Sequence, residues 1–140
     1  MHKTINDIIA KKGSKKISVV TSYDYTMATL CDQVDVLLVG DSAGMVMLGY
    51  ENTAPVTMDE MVLFTKAVSN GRQNALIVAD LPNKSYEKEA DAVANSERLI
   101  RAGADAVKLE GRLPDIVSAI IKAGIPVMGH LGLLPQTAKK

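Results

Sequence analysis

The chain has no tryptophan, one phenylalanine and a single cysteine in 140 residues. With so few aromatic side chains, its core must be built from aliphatic ones. A lone cysteine, Cys31, excludes an internal disulfide and fits a reducing compartment, which points to the cytoplasm. Formal net charge is zero, so nothing in the charge balance calls for nucleic acid or another polyanion. No apolar run approaches the ~20 residues of a membrane span. The opening MHKTINDIIAKKG is too polar for a secretory signal, so neither a membrane nor a leader is expected. HExxH, CxxC, GxGxxG and GxxxxGKS/T are all missing, which leaves zincin, thiol-redox, dinucleotide and P-loop readings without support.

What is present is a set of apolar runs with acidic ends. KKISVVTSYD ends on Asp24, VDVLLVGDS carries Asp41, NALIVADLP carries Asp80, and DAVKLEG carries Glu110. A fifth, IPVMGHLG, carries His130. Strands rich in Val, Ile and Leu belong in a parallel sheet covered by helices. In a (β/α) barrel, the C-terminal ends of such strands line the active site. Carboxylates brought together there repel one another unless a cation sits between them. The pattern therefore predicts a metal site at a barrel mouth.

Periodicity predicts a helix over 4–12, a strand over 16–22, a short helix over 26–31 and a strand over 34–39. A long connection, AGMVMLGYENTAPV, follows and is read as a functional loop. Thr57 and Glu60 have capping-box spacing and open a helix with Met61, Phe64, Thr65 and Val68 on one face. A strand over 75–79 comes next. Ser85 is the expected cap of a helix that packs Ala90, Val93, Ala94 and Ile100. A strand over 106–109 precedes a helix begun by Pro114, with Ile116, Val117, Ile120 and Ile121 inward. The last strand is 126–129. Residues 1–140 thus read as one α/β domain: a helix, then βα four times, then β. A closed (β/α)8 TIM barrel needs eight strands and about 250 residues. Five strands fit a partial barrel, one completed by a second half-barrel chain, or an open doubly wound sheet.

Each candidate residue carries two readings. Asp41 either caps the following turn or faces a ligand. Asp80, before Leu81-Pro82, has the same alternatives. Lys108 and Glu110 share one strand face, as a buried ion pair or as functional groups. His130 is a structural histidine or a ligand-binding one with glycines beside it. Asp24 is a turn cap or an outer group of the metal site, and Cys31 a small core residue. Taken together, three carboxylates at strand ends favour a hard cation such as Mg2+. Lys108 could form a Schiff base, but its acidic neighbours favour a charged lysine that clamps substrate.

TSYDY, LLVGDSAGMVMLGYENTAPVTMDEM, ADLP, AGADAVKLEG and IPVMGHLGLLPQ, in this order, resemble the ketopantoate hydroxymethyltransferases over residues 16–136. The resemblance implies a (β/α)8 barrel of the phosphoenolpyruvate/pyruvate superfamily. It implies transfer of a hydroxymethyl group from 5,10-methylenetetrahydrofolate to 3-methyl-2-oxobutanoate through a Mg2+-stabilised enolate, towards pantothenate. By motif, Asp41 and Asp80 would hold Mg2+ and Glu110 would complete its shell, directly or through water. Asp41, Ser42, Asp80, Lys108 and His130 would bind the 2-oxo acid. The general base of the family, a Glu, lies beyond Lys140. Homo-oligomers are the family habit. EGR stands where the family has EGG, and NKSY follows ADLP where an apolar residue is usual. The rival readings are a related Mg2+-dependent enolate lyase, and a non-catalytic or split half-barrel that binds metal and 2-oxo acid.

Overall fold

The structure is a computed structural model that describes residues 2–137. Its elements are α1 (Ile5–Ala10), β1 (Val19–Thr21), α2 (Tyr25–Cys31), β2 (Val36–Val39), α3 (Ala43–Leu48), α4 (Met58–Gly71), β3 (Leu76–Asp80), α5 (Glu89–Arg101), β4 (Ala106–Glu110), α6 (Pro114–Lys122) and β5 (Val127–His130). All five strands are parallel and stand in the order β1-β2-β3-β4-β5. A doubly wound sheet reverses its strand order at a switch point. This one does not, and its sequential order is that of a barrel wall. The chain is α/β, of the (β/α)8 barrel class, with five strands of the wall among the described residues.

Strand alternation sorts the apolar residues into two layers. Leu37, Val39, Ile77, Ala79, Val107 and Leu109 face the helices, against Met61, Phe64, Val68, Leu99, Ile116 and Ile120. Val36, Leu76, Val78 and Ala106 face the barrel axis and pack with Leu38, Met128 and the Ile5 and Ile8 side chains of α1. Lys3 N–H donates to Asn74 O at 2.7 Å, and His2 sits 3.2 Å from Asp105. Both partners precede strands, so α1 covers the N-terminal end of the wall.

Two buried acids anchor that lower end. Asp32 accepts from the N–H groups of Gln73, Asn74 and Ala75 and from the Asn74 amide. Burial opposes its charge, but those donors outweigh burial and hold its carboxyl below the usual value. The Lys11 ammonium on Asp35, with Ser18 and Lys3, holds that carboxyl well below the usual range.

Several expectations need correction. The AGMVML stretch is a helix, α3, closed by Gly49 at φ +73. Its side chains Met45, Val46, Met47 and Leu48 are exposed, so no buried stripe marks it in the sequence. Ser85 caps nothing; Lys88 is the N-cap residue of α5. That helix buries Ala92, Ser96 and Leu99, while Ala90 and Ala94 face out. Ile121 of α6 is exposed too. β1 is three residues long, shorter than expected. Asp24 is the α2 N-cap, accepting from Met27 N–H at 2.8 Å. The Thr57–Glu60 capping box is formed as expected, and Thr4–Asp7 makes a second one.

Candidate functional site

Register brings the strand-end residues together. Asp80 and Lys108 are Cα partners, as are Glu110 and His130. Partners in a parallel pair point to the same side, so all four project from the axial face at the C-terminal ends. Lys108 Nζ lies 2.7 Å from Asp80 Oδ1. Lys108 thus pairs across strands, and not with Glu110 on its own strand. Asp41, just past β2, donates its N–H to Asp80 Oδ2 at 3.2 Å. Its side chain does not cap α3.

These acids are buried: Asp41 and Asp80 are 5% exposed and Glu110 7%. Burial, and then the Asp80 charge, push the Asp41 carboxyl up to about 6. Burial also raises Asp80, and Lys108 offsets only part of that. Asp32 and Asp35 at the opposite end shift the other way because each has its own donors or lysines. A carboxylate pair left short of positive charge marks a functional site more often than a structural one.

Ser42 sits at the start of α3 without capping it. Its hydroxyl shares a 2.7 Å hydrogen bond with the Tyr23 hydroxyl. Gly40 makes room for this: a Cβ there would lie 2.8 Å from Ser42 Oγ and 3.6 Å from Asp80 Oδ2. His130 Nδ1 is 3.3 Å from Glu110 Oε1, yet makes no hydrogen bond. The NKSY turn places Lys84 at φ +65, a left-handed conformation unusual for a residue with a side chain.

Two residues of the site escaped sequence reasoning. Gln136 is 8% exposed and donates from Nε2 to Asp41 Oδ2 at 2.7 Å and to Leu81 O at 3.0 Å. Its N–H donates to Glu110 Oε2 at 3.1 Å. The Tyr86 hydroxyl donates to Gln136 Oε1 and accepts the Glu110 N–H at 3.4 Å. The available signal is the polar Gln136 closing GHLGLLPQ, but burial of a residue outside helices and strands leaves no periodicity in a sequence. Clefts of about 540 and 490 Å3 open on either side of the Pro135–Thr137 turn, the second reaching Glu110 and Tyr86.

Among the described residues, no three His, Cys, Asp or Glu side chains converge closely enough to share a metal ion. Asp41 and Asp80 do converge, and Glu110 stands one glutamine away. The donors fit a hard cation chemically: oxygen ligands, buried, and mutually repelling until a positive charge arrives.

A parallel barrel wall with acids, a lysine and a histidine on its C-terminal strand ends has the layout of a barrel enzyme's site. The chain belongs to the ketopantoate hydroxymethyltransferase family, whose model matches residues 2–140. It is 65% identical to the 3-methyl-2-oxobutanoate hydroxymethyltransferase of Nitrosopumilus maritimus, over 98% of this chain and 51% of that protein. It is 54% identical to the protein of the same name from Desulfotalea psychrophila, over 99% of this chain and 52% of the relative. The chain therefore spans about half the length of the curated relatives it matches. Among solved structures it resembles 2,3-dimethylmalate lyase, a PEP mutase/isocitrate lyase superfamily member. The TM-score is 0.62 at 18% identity, over 92% of this chain and 51% of that one, a likeness of fold.

Proposed function

We propose that these residues form the metal and 2-oxo acid half of a site that makes 2-dehydropantoate. The hydroxymethyl group would pass from 5,10-methylenetetrahydrofolate to 3-methyl-2-oxobutanoate, in the cytoplasm, towards pantothenate. The observation that carries this reading is the buried Asp41–Asp80 pair, with Lys108 beside it, in a chain of this family. Asp41 and Asp80 would hold Mg2+, with Glu110 contributing directly or through water. When bound, that ion supplies positive charge that makes the C3 proton of a chelated 2-oxo acid easier to remove.

The remaining roles fall to the chain's own groups. Lys108 Nζ is placed to meet the substrate carboxylate or the negative charge that develops on its keto oxygen. Ser42, steadied by Tyr23, offers a hydroxyl beside Asp41. His130, partly exposed and beside Glu110, can turn towards the substrate. The proton acceptor would come from outside these residues.

Proton NMR of 3-methyl-2-oxobutanoate in D2O tests the reading. Mg2+-dependent loss of the C3 proton signal is expected where a base is supplied. Mg2+-dependent line broadening without exchange is expected from a binding half-site. In Asp80→Asn both effects should drop at least tenfold. A substrate spectrum indifferent to chain and Mg2+ alike would remove the reading. C–C cleavage of 2-methylmalate-type acids without folate would favour a lyase instead.

A further inference from the structure

We infer that Gln136 is a positioning residue that sets the orientation and separation of the Asp41 and Glu110 carboxylates. The inference rests on the metal and 2-oxo acid reading of the site given above. A glutamine amide offers two N–H donors and one carbonyl acceptor. All are used here: Nε2 donates to Asp41 Oδ2 and Leu81 O, and Oε1 accepts from the Tyr86 hydroxyl. Turning the amide over would set Oε1 against two acceptor oxygens, so only one orientation is stable. The Tyr86 hydroxyl, itself accepting from Glu110 N–H, reinforces that choice.

The backbone of the same residue acts on the other acid. Gln136 N–H donates to Glu110 Oε2. One buried residue thus takes one oxygen from each of two carboxylates that belong to separate strands. It leaves Asp41 Oδ1 to face a cation or substrate, and Glu110 Oε1 beside His130 Nδ1 at 3.3 Å. Groups that orient metal ligands in this way typically change metal affinity by ~10–100-fold when lost. Gln136 touches no reacting atom in this scheme. It acts through Asp41 and Glu110, and Tyr86 acts through Gln136.

Gln136→Met keeps the length and bulk of the side chain and removes the amide. Tyr86→Phe removes the hydroxyl alone and serves if the first variant folds poorly. Free Mn2+ measured by electron paramagnetic resonance reads affinity without any turnover. We expect about tenfold weaker Mn2+ binding in Gln136→Met and a smaller loss in Tyr86→Phe, each measured well below that variant's own unfolding transition. Equal affinity in the parent and Gln136→Met overturns the inference. A second readout needs no metal. The Gln136 side-chain NH2 protons should exchange slowly with water in the metal-free 140-residue chain, and the Asp41 carboxyl carbon resonance should move in Gln136→Met. NH2 exchange as fast as that of an exposed amide overturns the inference. A parent chain that binds no Mn2+ but shows the protected amide would sink the metal reading while upholding the role of Gln136.

Discussion

Lys108 Nζ and Asp80 Oδ1 stand 2.7 Å apart as register partners across β4 and β3, the one lysine–carboxylate pair at the upper end of the described wall. Both are largely buried, so the pair has been taken out of water. Removing one partner from such a pair leaves an uncompensated charge, which commonly costs about 3 kcal/mol. Lys108→Met should lower stability in urea by about that amount at neutral pH. Adding Asp80→Asn to it should recover most of the loss. A cost below ~1 kcal/mol for Lys108→Met would show that the pair behaves as a solvated one.

The Asp41 carboxyl gives a pH signature of opposite sign to ordinary acid unfolding. Its folded value is raised, to about 6 from 3.8. The folded chain then keeps a proton that the unfolded chain has lost. Its contribution is favourable below about pH 4, and declines as pH rises through about 6. The fall amounts to about 2 kcal/mol after discounting for screening. Asp32 and Asp35 titrate low and act below this window. Urea midpoints at about pH 4.5 and 7 should show a clearly smaller decline in Asp41→Asn than in the parent, the remainder belonging to Asp80, which burial raises as well. Mg2+ should reduce it, because the ion favours the charged form. A parent that parallels Asp41→Asn across this range would place Asp41 in water.

The strand-end acids were legible because each closes an apolar run, and strand ends are where a barrel puts its chemistry. Asp80, Lys108, Glu110 and His130 could be found in this way, and register does bring them together. Asp41 and Ser42 stand out in VGDS, but their partners do not. What stayed hidden has a common cause: it depends on the packing of segments far apart in the chain. Gln136 reaches Asp41 across 95 positions and Tyr86 across 50. No local pattern encodes either contact. The α3 helix was missed because it buries only Ala43 and Gly44. Gly44 is there for packing, since a Cβ would lie 2.4 Å from Val56 Cγ2. Asp24 has two readings in the sequence, and in the structure it caps α2.

Gly40 offers a way to disturb Ser42 without touching it. The backbone at Gly40 does not need glycine for its conformation, as its φ is not in the left-handed range. The restriction is steric: Cβ would come within 2.8 Å of Ser42 Oγ, the end of a short side chain that can turn away. Gly40→Ala should therefore cost only about 1 kcal/mol in stability. The Ser42–Tyr23 hydrogen bond should break, and binding of 3-methyl-2-oxobutanoate should weaken about tenfold by calorimetry. Unchanged binding would remove Ser42 from the substrate contacts.

The edges of the wall give the last prediction. β1 and β5 each have a neighbour on one side only among the described residues. Val19 of β1 is 47% exposed although its register partner Val36 is 1% exposed, so the difference comes from the open side. At the other edge, Leu131 and Leu133 follow β5 in the open. Unpaired parallel edges and exposed apolar groups favour association. The 140-residue chain should scatter light as dimers or larger species, increasingly so with concentration. Leu131→Lys with Leu133→Lys should shift it towards monomer if the β5 edge is the contact. A monomer that unfolds cooperatively at all concentrations would mean that these five strands satisfy themselves, and that no second copy or second half-barrel is needed to cover them.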